Sequence, residues 1–121
     1  MSNSREYTNK TLNIKRSDDD DGISLVFSGR SRDRHPSEFL GPIFDEVLNE
    51  IKGGERKAVL DFRPLEYMNS STITPIVKML NNARRDKCRV EIIYHESLKW
   101  QNLSFSALTV FTDDAIEVKG V

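Results

Sequence analysis

Short apolar segments alternate with amphipathic helical segments along this chain, and that alternation restricts the possible folds more than any other feature. Residues 58–62 and 89–94 are typical of buried strands. Patterns of spaced apolar residues, typical of helices, precede, separate and follow these two runs. Strands joined through helices need crossover connections, so neighbouring strands run parallel and the helices pack against the sheet.

Two further strands are predicted near the N-terminus. Residues 11–16 and 23–28 alternate polar and apolar side chains on either side of an Asp-rich tip at residues 18–22. The tip lacks the ligand spacing of a calcium loop, and Asp-Gly is a common hairpin turn. Residues 1–10 are polar and are expected to be a flexible N-terminus, followed by a single domain over residues 11–121.

The predicted fold class is therefore α/β with α+β character. We expect a mixed β-sheet with the helices mainly on one face, in the order β-β-α-β-α-β-α-β. The first helix is predicted from Pro36 onward by apolar residues at helical spacing, namely Phe39, Leu40, Ile43, Phe44, Val47, Leu48 and Ile51. Because an interior proline costs about 3 kcal/mol, an alternative is that the regular helix begins at Gly41-Pro42, after a separate turn over residues 36–40. Ser97 is expected to cap the last helix. Its predicted inward residues are Trp100, Leu103, Ala107, Leu108 and Phe111.

Composition excludes several classes of function. The chain has 121 residues and a formal net charge of -1, so bulk electrostatics favours neither nucleic acid nor anionic membranes. Cys88 is the single cysteine and has no zinc or redox motif around it. The sequence shows no signal peptide and no apolar run of the roughly 20 residues that cross a bilayer, so a cytoplasmic location is expected.

The run Asn69-Ser70-Ser71-Thr72 is the main candidate site, because it places hydroxyl groups where a strand gives way to a helix. A helix N-terminus has unpaired N–H groups and a favourable field for a phosphate. The run is therefore either a helix cap or a phosphorylation switch, and spacing alone favours the cap.

These residues resemble a STAS domain, the fold of bacterial anti-sigma factor antagonists. The family pattern is an apolar strand with an acidic residue, here residues 58–62, then two apolar positions and Asp-Ser-Ser-Gly opening a helix. Asn69 stands at the Asp, Ser70 at the phosphoacceptor serine and Thr72 at the Gly. The element order agrees with the family from about residue 11 to residue 118.

The resemblance implies a phosphorylation-controlled partner switch with Ser70 as the acceptor and with Ser71 and Thr72 as alternates. It implies a histidine-kinase-like ATPase as the serine kinase or anti-sigma-type regulator, and a PP2C-like phosphatase. The unmodified form would bind its protein partner and the phosphorylated form would release it. Such a chain is a substrate and a binding module, so neither catalysis nor a cofactor is expected.

Arg30 and Arg32 follow the second predicted strand, where a basic cluster could hold a phosphate or meet an acidic partner. A solvated loop is the favoured interpretation, because arginines that alternate with Ser31 and Asp33 need no ligand to explain them. The hypothetical partner-binding surface thus comprises Asn69, Ser70, Ser71, Thr72, Arg30 and Arg32. No metal site is predicted. Two other functions stay open, a scaffold domain that does not switch and a domain that binds an anion or small ligand at the same helix end.

Overall fold

A mixed β-sheet organises the protein in the computed structural model, which describes residues 3–53 and 55–121. The described strands are β1 (Asn3–Asn9), β2 (Leu12–Asp18), β3 (Gly22–Ser31), β4 (Lys57–Asp61), β5 (Leu65–Met68), β6 (Arg89–Tyr94) and β7 (Ile116–Gly120). The described helices are α1 (Pro36–Ile51), α2 (Ile73–Arg85) and α3 (Lys99–Phe105), with 3₁₀ turns at Ser70–Thr72 and Ser106–Phe111.

The strand order is β1-β2-β3-β4-β6-β7, and β5 pairs with the end of β3. The pairs β1–β2 and β2–β3 are antiparallel. The strands β4 and β5 run parallel to β3, and β6 runs parallel to both β4 and β7. The predicted mixed sheet is confirmed. Because β3, β5 and β6 run the same way, their carboxyl ends lie at one edge of the sheet.

Aromatic side chains join the sheet to the helices. The ring of Phe62, directly after β4, stacks on Phe27 of β3 at 4.3 Å and on Phe105 of α3 at 4.7 Å between centroids. Phe27 also contacts Phe44 of α1 at 6.2 Å. Since one aromatic layer contacts α1 and α3, these helices cover the same face of the sheet, as predicted.

Two strands differ from the predicted element order. Residues 3–9, expected to belong to a flexible terminus, form β1 and pair with β2 along its whole length. The described side chains of this edge strand are polar and mostly exposed apart from Tyr7, which packs against the core, so no apolar alternation marked it. Strand β5 has 4 residues, too few to show a pattern. Met1, Ser2 and Gly54 lie outside the described residues.

Helix α1 begins at Pro36 and continues through Pro42, so the helix predicted from Pro36 onward is confirmed and the alternative start at Gly41-Pro42 is wrong. Pro42 lies on the exposed side, where water can satisfy the carbonyl that loses its partner. Gly41 has no Cβ to collide with the proline ring, which removes part of the restriction on a residue before proline. The helix therefore tolerates an interior proline.

The last helix also differs from its prediction. Leu98, rather than Ser97, occupies the N-cap position of α3, and its side chain makes no capping hydrogen bond. Leu103 is 67% exposed, whereas the polar Gln101 is fully buried. The apolar pattern thus assigned Leu103 to the wrong side. No described helix is long and apolar enough to cross a membrane.

Candidate functional site

The Asn69–Thr72 run connects β5 to α2 at the carboxyl edge of the sheet. Strand β5 ends at Met68, and the backbone N–H of Asn69 donates to the carbonyl of Ser31 at 3.0 Å. The 3₁₀ turn follows at once, and α2 begins at Ile73. The backbone of the run is therefore tied to the end of β3 before the helix starts.

Asn69 caps the turn with one end of its amide and holds the neighbouring loop with the other. Its Oδ1 accepts from the backbone N–H of Thr72 at 3.1 Å and from the Thr72 hydroxyl at 2.7 Å. Its Nδ2 donates to the carbonyl of Asp33 at 2.8 Å. An amide is the side chain that supplies both an acceptor and a donor here.

The three hydroxyls of the run have different surroundings. Thr72 is 2% exposed, whereas Ser70 and Ser71 are exposed. The Thr72 oxygen lies 2.7 Å from the hydroxyl of Ser31, which is also buried. Because Thr72 uses its one O–H to donate to Asn69, Ser31 donates to Thr72. The Thr72 oxygen is thus enclosed, and Ser70 and Ser71 face solvent.

The basic loop after β3 lies at the same edge. Arg30 is the register partner of Tyr67 and Ser31 that of Met68, so β3 and β5 deliver both loops together. Arg30 and Arg32 are exposed. This edge of the molecule therefore combines two accessible hydroxyls with two accessible guanidinium groups.

Asp33 holds the basic loop in place. One carboxylate oxygen accepts from the backbone N–H of His35 and the other from Nδ2 of Asn9, each at 3.1 Å. The His35 N–H, followed by the Asn9 amide, lowers the pKa of Asp33. Sequence reasoning missed Ser31, Asp33 and Asn9, because their contacts join β1, β3 and the Asn69 run, which are far apart in sequence.

The described residues at this edge include no cluster of metal ligands. Within residues 3–53 and 55–121, no group of at least three His, Cys, Asp or Glu side chains is arranged to hold a metal ion. The Asp-rich tip is a turn in which Asp19 Oδ1 accepts from the backbone N–H groups of Asp21 and Gly22 at 2.8 and 3.0 Å. The predicted turn is confirmed.

Comparison with known proteins identifies the family. The family model described as SiaC family regulatory phosphoprotein matches residues 6–100, most of the chain. The chain belongs to the SiaC family. The structure of SiaC of Pseudomonas aeruginosa superposes with a TM-score of 0.67 at 18% identity, covering 98% of this chain and 99% of that chain. No curated protein matches the sequence.

Two further structures extend the comparison beyond free SiaC. One is the crystal structure of the diguanylate cyclase SiaD in complex with its activator SiaC from Pseudomonas aeruginosa, with a TM-score of 0.66, 20% identity and coverage of 95% of this chain and 99% of that chain. The other is an anti-sigma factor antagonist from Mycobacterium paratuberculosis, with a TM-score of 0.57, 8% identity and coverage of 97% and 86%. These likenesses confirm the STAS-like fold. The SiaC family is one of regulatory phosphoproteins, which agrees with the predicted regulatory role.

Proposed function

We propose that this chain is a phosphorylation-controlled protein-binding regulator, that Ser70 is its phosphoacceptor and that a diguanylate cyclase is its partner. The main supporting observation is the exposed Ser70 hydroxyl on an ordered turn at the start of α2, in a family of regulatory phosphoproteins. The SiaD–SiaC complex of Pseudomonas aeruginosa supports the choice of partner. An anti-sigma-type role has only the distant fold likeness in its favour.

Burial supports Ser70 or Ser71 over Thr72 as the acceptor. A kinase must reach the hydroxyl oxygen, and that of Thr72 is enclosed by Asn69 and Ser31. Phosphorylating Thr72 would break both contacts and place a charged group in a buried position. Between the two exposed serines, the STAS pattern favours Ser70 as the acceptor.

The proposed switch is local and electrostatic. Phosphorylation adds a charge of about -1.5 to -2, which the N-terminus of α2 tolerates because its N–H groups and dipole favour an anion. A partner that covers Ser70 would have to desolvate this charge, and an unpaired buried charge costs several kcal/mol. A loss of about 3 kcal/mol weakens binding more than a hundredfold. The unmodified form is therefore the one that binds.

The STAS resemblance suggests which enzymes add and remove the phosphate. We infer a histidine-kinase-like ATPase as the serine kinase and a PP2C-like phosphatase that reverses the modification. The bound surface would include Asn69, Ser70 and Ser71, with Arg30 and Arg32 at its border. Thr72 contributes by holding the turn from beneath.

Intact mass after incubation with the cognate kinase tests the acceptor. Wild type and Ser71→Ala should gain one phosphate, and Ser70→Ala should gain none. Ser97→Ala is the matched control, because Ser97 is also an exposed serine in a loop at this edge. Full phosphorylation of Ser70→Ala would refute Ser70 as the acceptor.

Binding to the SiaD-type diguanylate cyclase of the source organism tests the output. Wild type should bind, Ser70→Ala should bind equally well, and enzymatically phosphorylated protein should bind at least a hundredfold more weakly. Equal affinity of the phosphorylated and unmodified proteins would instead support the scaffold without a switch. Absence of wild-type binding would refute the cyclase as partner.

A further inference from the structure

A cleft adjoins the candidate site and is formed by the β1–β2 turn, the end of β3 and the start of α1. Lys10, Arg30 and Arg32 line its rim. Leu12 and Leu40, which are 5% and 1% exposed, form an apolar floor, together with further apolar side chains of α1. The cleft thus combines exposed cations with buried hydrocarbon.

The walls of the cleft are held by hydrogen bonds between distant segments. Thr11 Oγ1 donates to the carbonyl of Arg30 at 2.8 Å, and the Arg30 N–H donates to the carbonyl of Thr11 at 3.0 Å. Gly29 permits this approach, since its φ is 81° and a Cβ there would lie 2.0 Å from the Thr11 carbonyl oxygen. The cleft is therefore a formed feature of the fold.

The rim cations outnumber the acids that line the cleft. Among the described residues, Lys10, Arg30 and Arg32 form no salt bridge, whereas Arg63 pairs with Asp61 at 2.8 Å. Both carboxylate oxygens of Asp33, the acid on the cleft, already accept hydrogen bonds. Three cations and one carboxylate thus line the cleft, so its rim carries a net positive charge.

We propose that the rim of this cleft binds an acidic segment of the protein partner, with carboxylates of that segment on Lys10, Arg30 and Arg32. The inference rests on the proposed function, since it extends the surface around Ser70. Ser31 connects the two, because it lines the cleft and its buried hydroxyl lies 2.7 Å from that of Thr72. The three cations lie on exposed side chains of two segments of the chain, so several carboxylates of one peptide segment can contact them together while the same partner covers Ser70.

Calorimetric titration of the SiaD-type diguanylate cyclase of the source organism with charge-reversal variants tests the proposal. Lys10→Glu and Arg32→Glu should each raise the Kd at least tenfold at low salt, and the loss should shrink as salt is added. Lys15→Glu is the matched control, since Lys15 is an exposed lysine of β2 outside the cleft, and it should bind like wild type. Thermal unfolding verifies that each variant is folded.

Each outcome is decisive. If wild type binds the cyclase and folded Lys10→Glu binds with the same Kd, the cleft proposal fails while the proposed function stands. If wild type does not bind, the cyclase partner fails and the cleft proposal falls with it. If inorganic phosphate displaces the cyclase more strongly than chloride of equal ionic strength, and Lys10→Glu abolishes this effect, the cleft holds a free anion and peptide docking is overturned.

Discussion

At the candidate site, Asn69 makes a contact that an aspartate in its place could not make. Its Nδ2 donates to the Asp33 carbonyl while its Oδ1 caps the turn. We expect Asn69→Asp to keep the cap but to place a carboxylate beside that carbonyl, lowering the free energy of unfolding by about 1–2 kcal/mol. Chemical denaturation of this variant and of Asn49→Asp, at an exposed position of α1, checks the effect. Unchanged stability of Asn69→Asp would contradict the role of Nδ2.

Gln101 serves as a buried hydrogen-bonding centre for backbone groups. Its Nε2 donates to the carbonyls of Phe62 and Leu65 at 2.8 and 3.0 Å, and its Oε1 accepts from the His95 N–H at 2.8 Å. Gln101→Leu should cost about 2–4 kcal/mol, because it leaves buried backbone groups unpaired. Urea unfolding measures the loss, and the exposed neighbour Asn102 provides the control Asn102→Leu. Equal stability of the two variants would show that the buried amide contributes nothing net.

At the scale of elements, the interior proline of α1 is the clearest departure from ordinary helix chemistry. Pro42 lacks the N–H that the Glu38 carbonyl would otherwise accept from. Because Pro42 is exposed and α1 has buried apolar residues both before and after it, Pro42→Ala should stabilise the domain by about 1–3 kcal/mol. A higher Tm in calorimetry would verify this. A lower Tm would mean that the core depends on the proline geometry.

An ion-pair cluster joins β2 to α1 and contains Asp18, whose protonation changes the free energy of unfolding. Arg16, 1% exposed, donates to both oxygens of Asp18 at 2.8 Å and to Glu50 of α1 at 2.6 Å. The hydrogen bonds from Arg16 lower the pKa of Asp18. A depressed folded-state pKa gives stability that is complete above the unfolded carboxyl pKa of about 4 and is lost as the pH falls through the folded value.

The free energy of unfolding of Asp18→Asn should therefore be lower than that of wild type at neutral pH and should fall less steeply below pH 4 or so. Urea titrations between neutral and strongly acidic pH measure both slopes. Asp20→Asn, at an exposed position of the same turn, should follow the wild-type curve. Parallel curves for Asp18→Asn and wild type would exclude Asp18 as a source of the acid sensitivity.

The elements that the sequence predicts well are those whose inward face is purely apolar. The apolar residues of α1 recur at helical spacing, and its buried face was predicted from that alone. The last helix was predicted in the right place, but its inward face was predicted only in part, because the most buried side chain there besides Phe105 is the polar Gln101. That amide is buried by hydrogen bonds to the connection between β4 and β5, a contact that no local pattern records.

At the candidate site, too, local sequence patterns were predictable and contacts between distant segments were not. The position of the Asn69–Thr72 run at the start of a helix was predictable, because the apolar pattern of α2 begins directly after it, whereas β5, the strand that leads into it, was not predicted. The burial of Thr72 was not, since it depends on Ser31, which lies 41 residues away in sequence. Three neighbouring hydroxyls that look equivalent in sequence are therefore made different by tertiary packing.

For the whole molecule, we propose that residues 11–121 can fold without residues 1–10. Strand β1 adds pairing with β2, a packed Tyr7 and the exposed pair between Arg5 and Glu46. Exposed pairs contribute at most about 1 kcal/mol, and a partly buried tyrosine about 1–2 kcal/mol. A chain without residues 1–10 should still unfold cooperatively, at a lower Tm, and should still accept phosphate on Ser70. A truncated chain without a cooperative transition would place β1 within the minimal domain.

The hydrogen bonds at both ends of the Asn69 amide reduce the entropy that the Ser70 loop can lose on binding. The Ser70 loop is ordered before any partner arrives, since its backbone is held to Ser31 and its cap to Asp33. Ordering one residue costs about 1–2 kcal/mol of conformational entropy, and a loop ordered in advance does not lose that entropy again on association. In the proposed switch, phosphorylation of Ser70 would act on a preorganised surface, so its effect on affinity would come from charge and hydration, with little change in chain entropy.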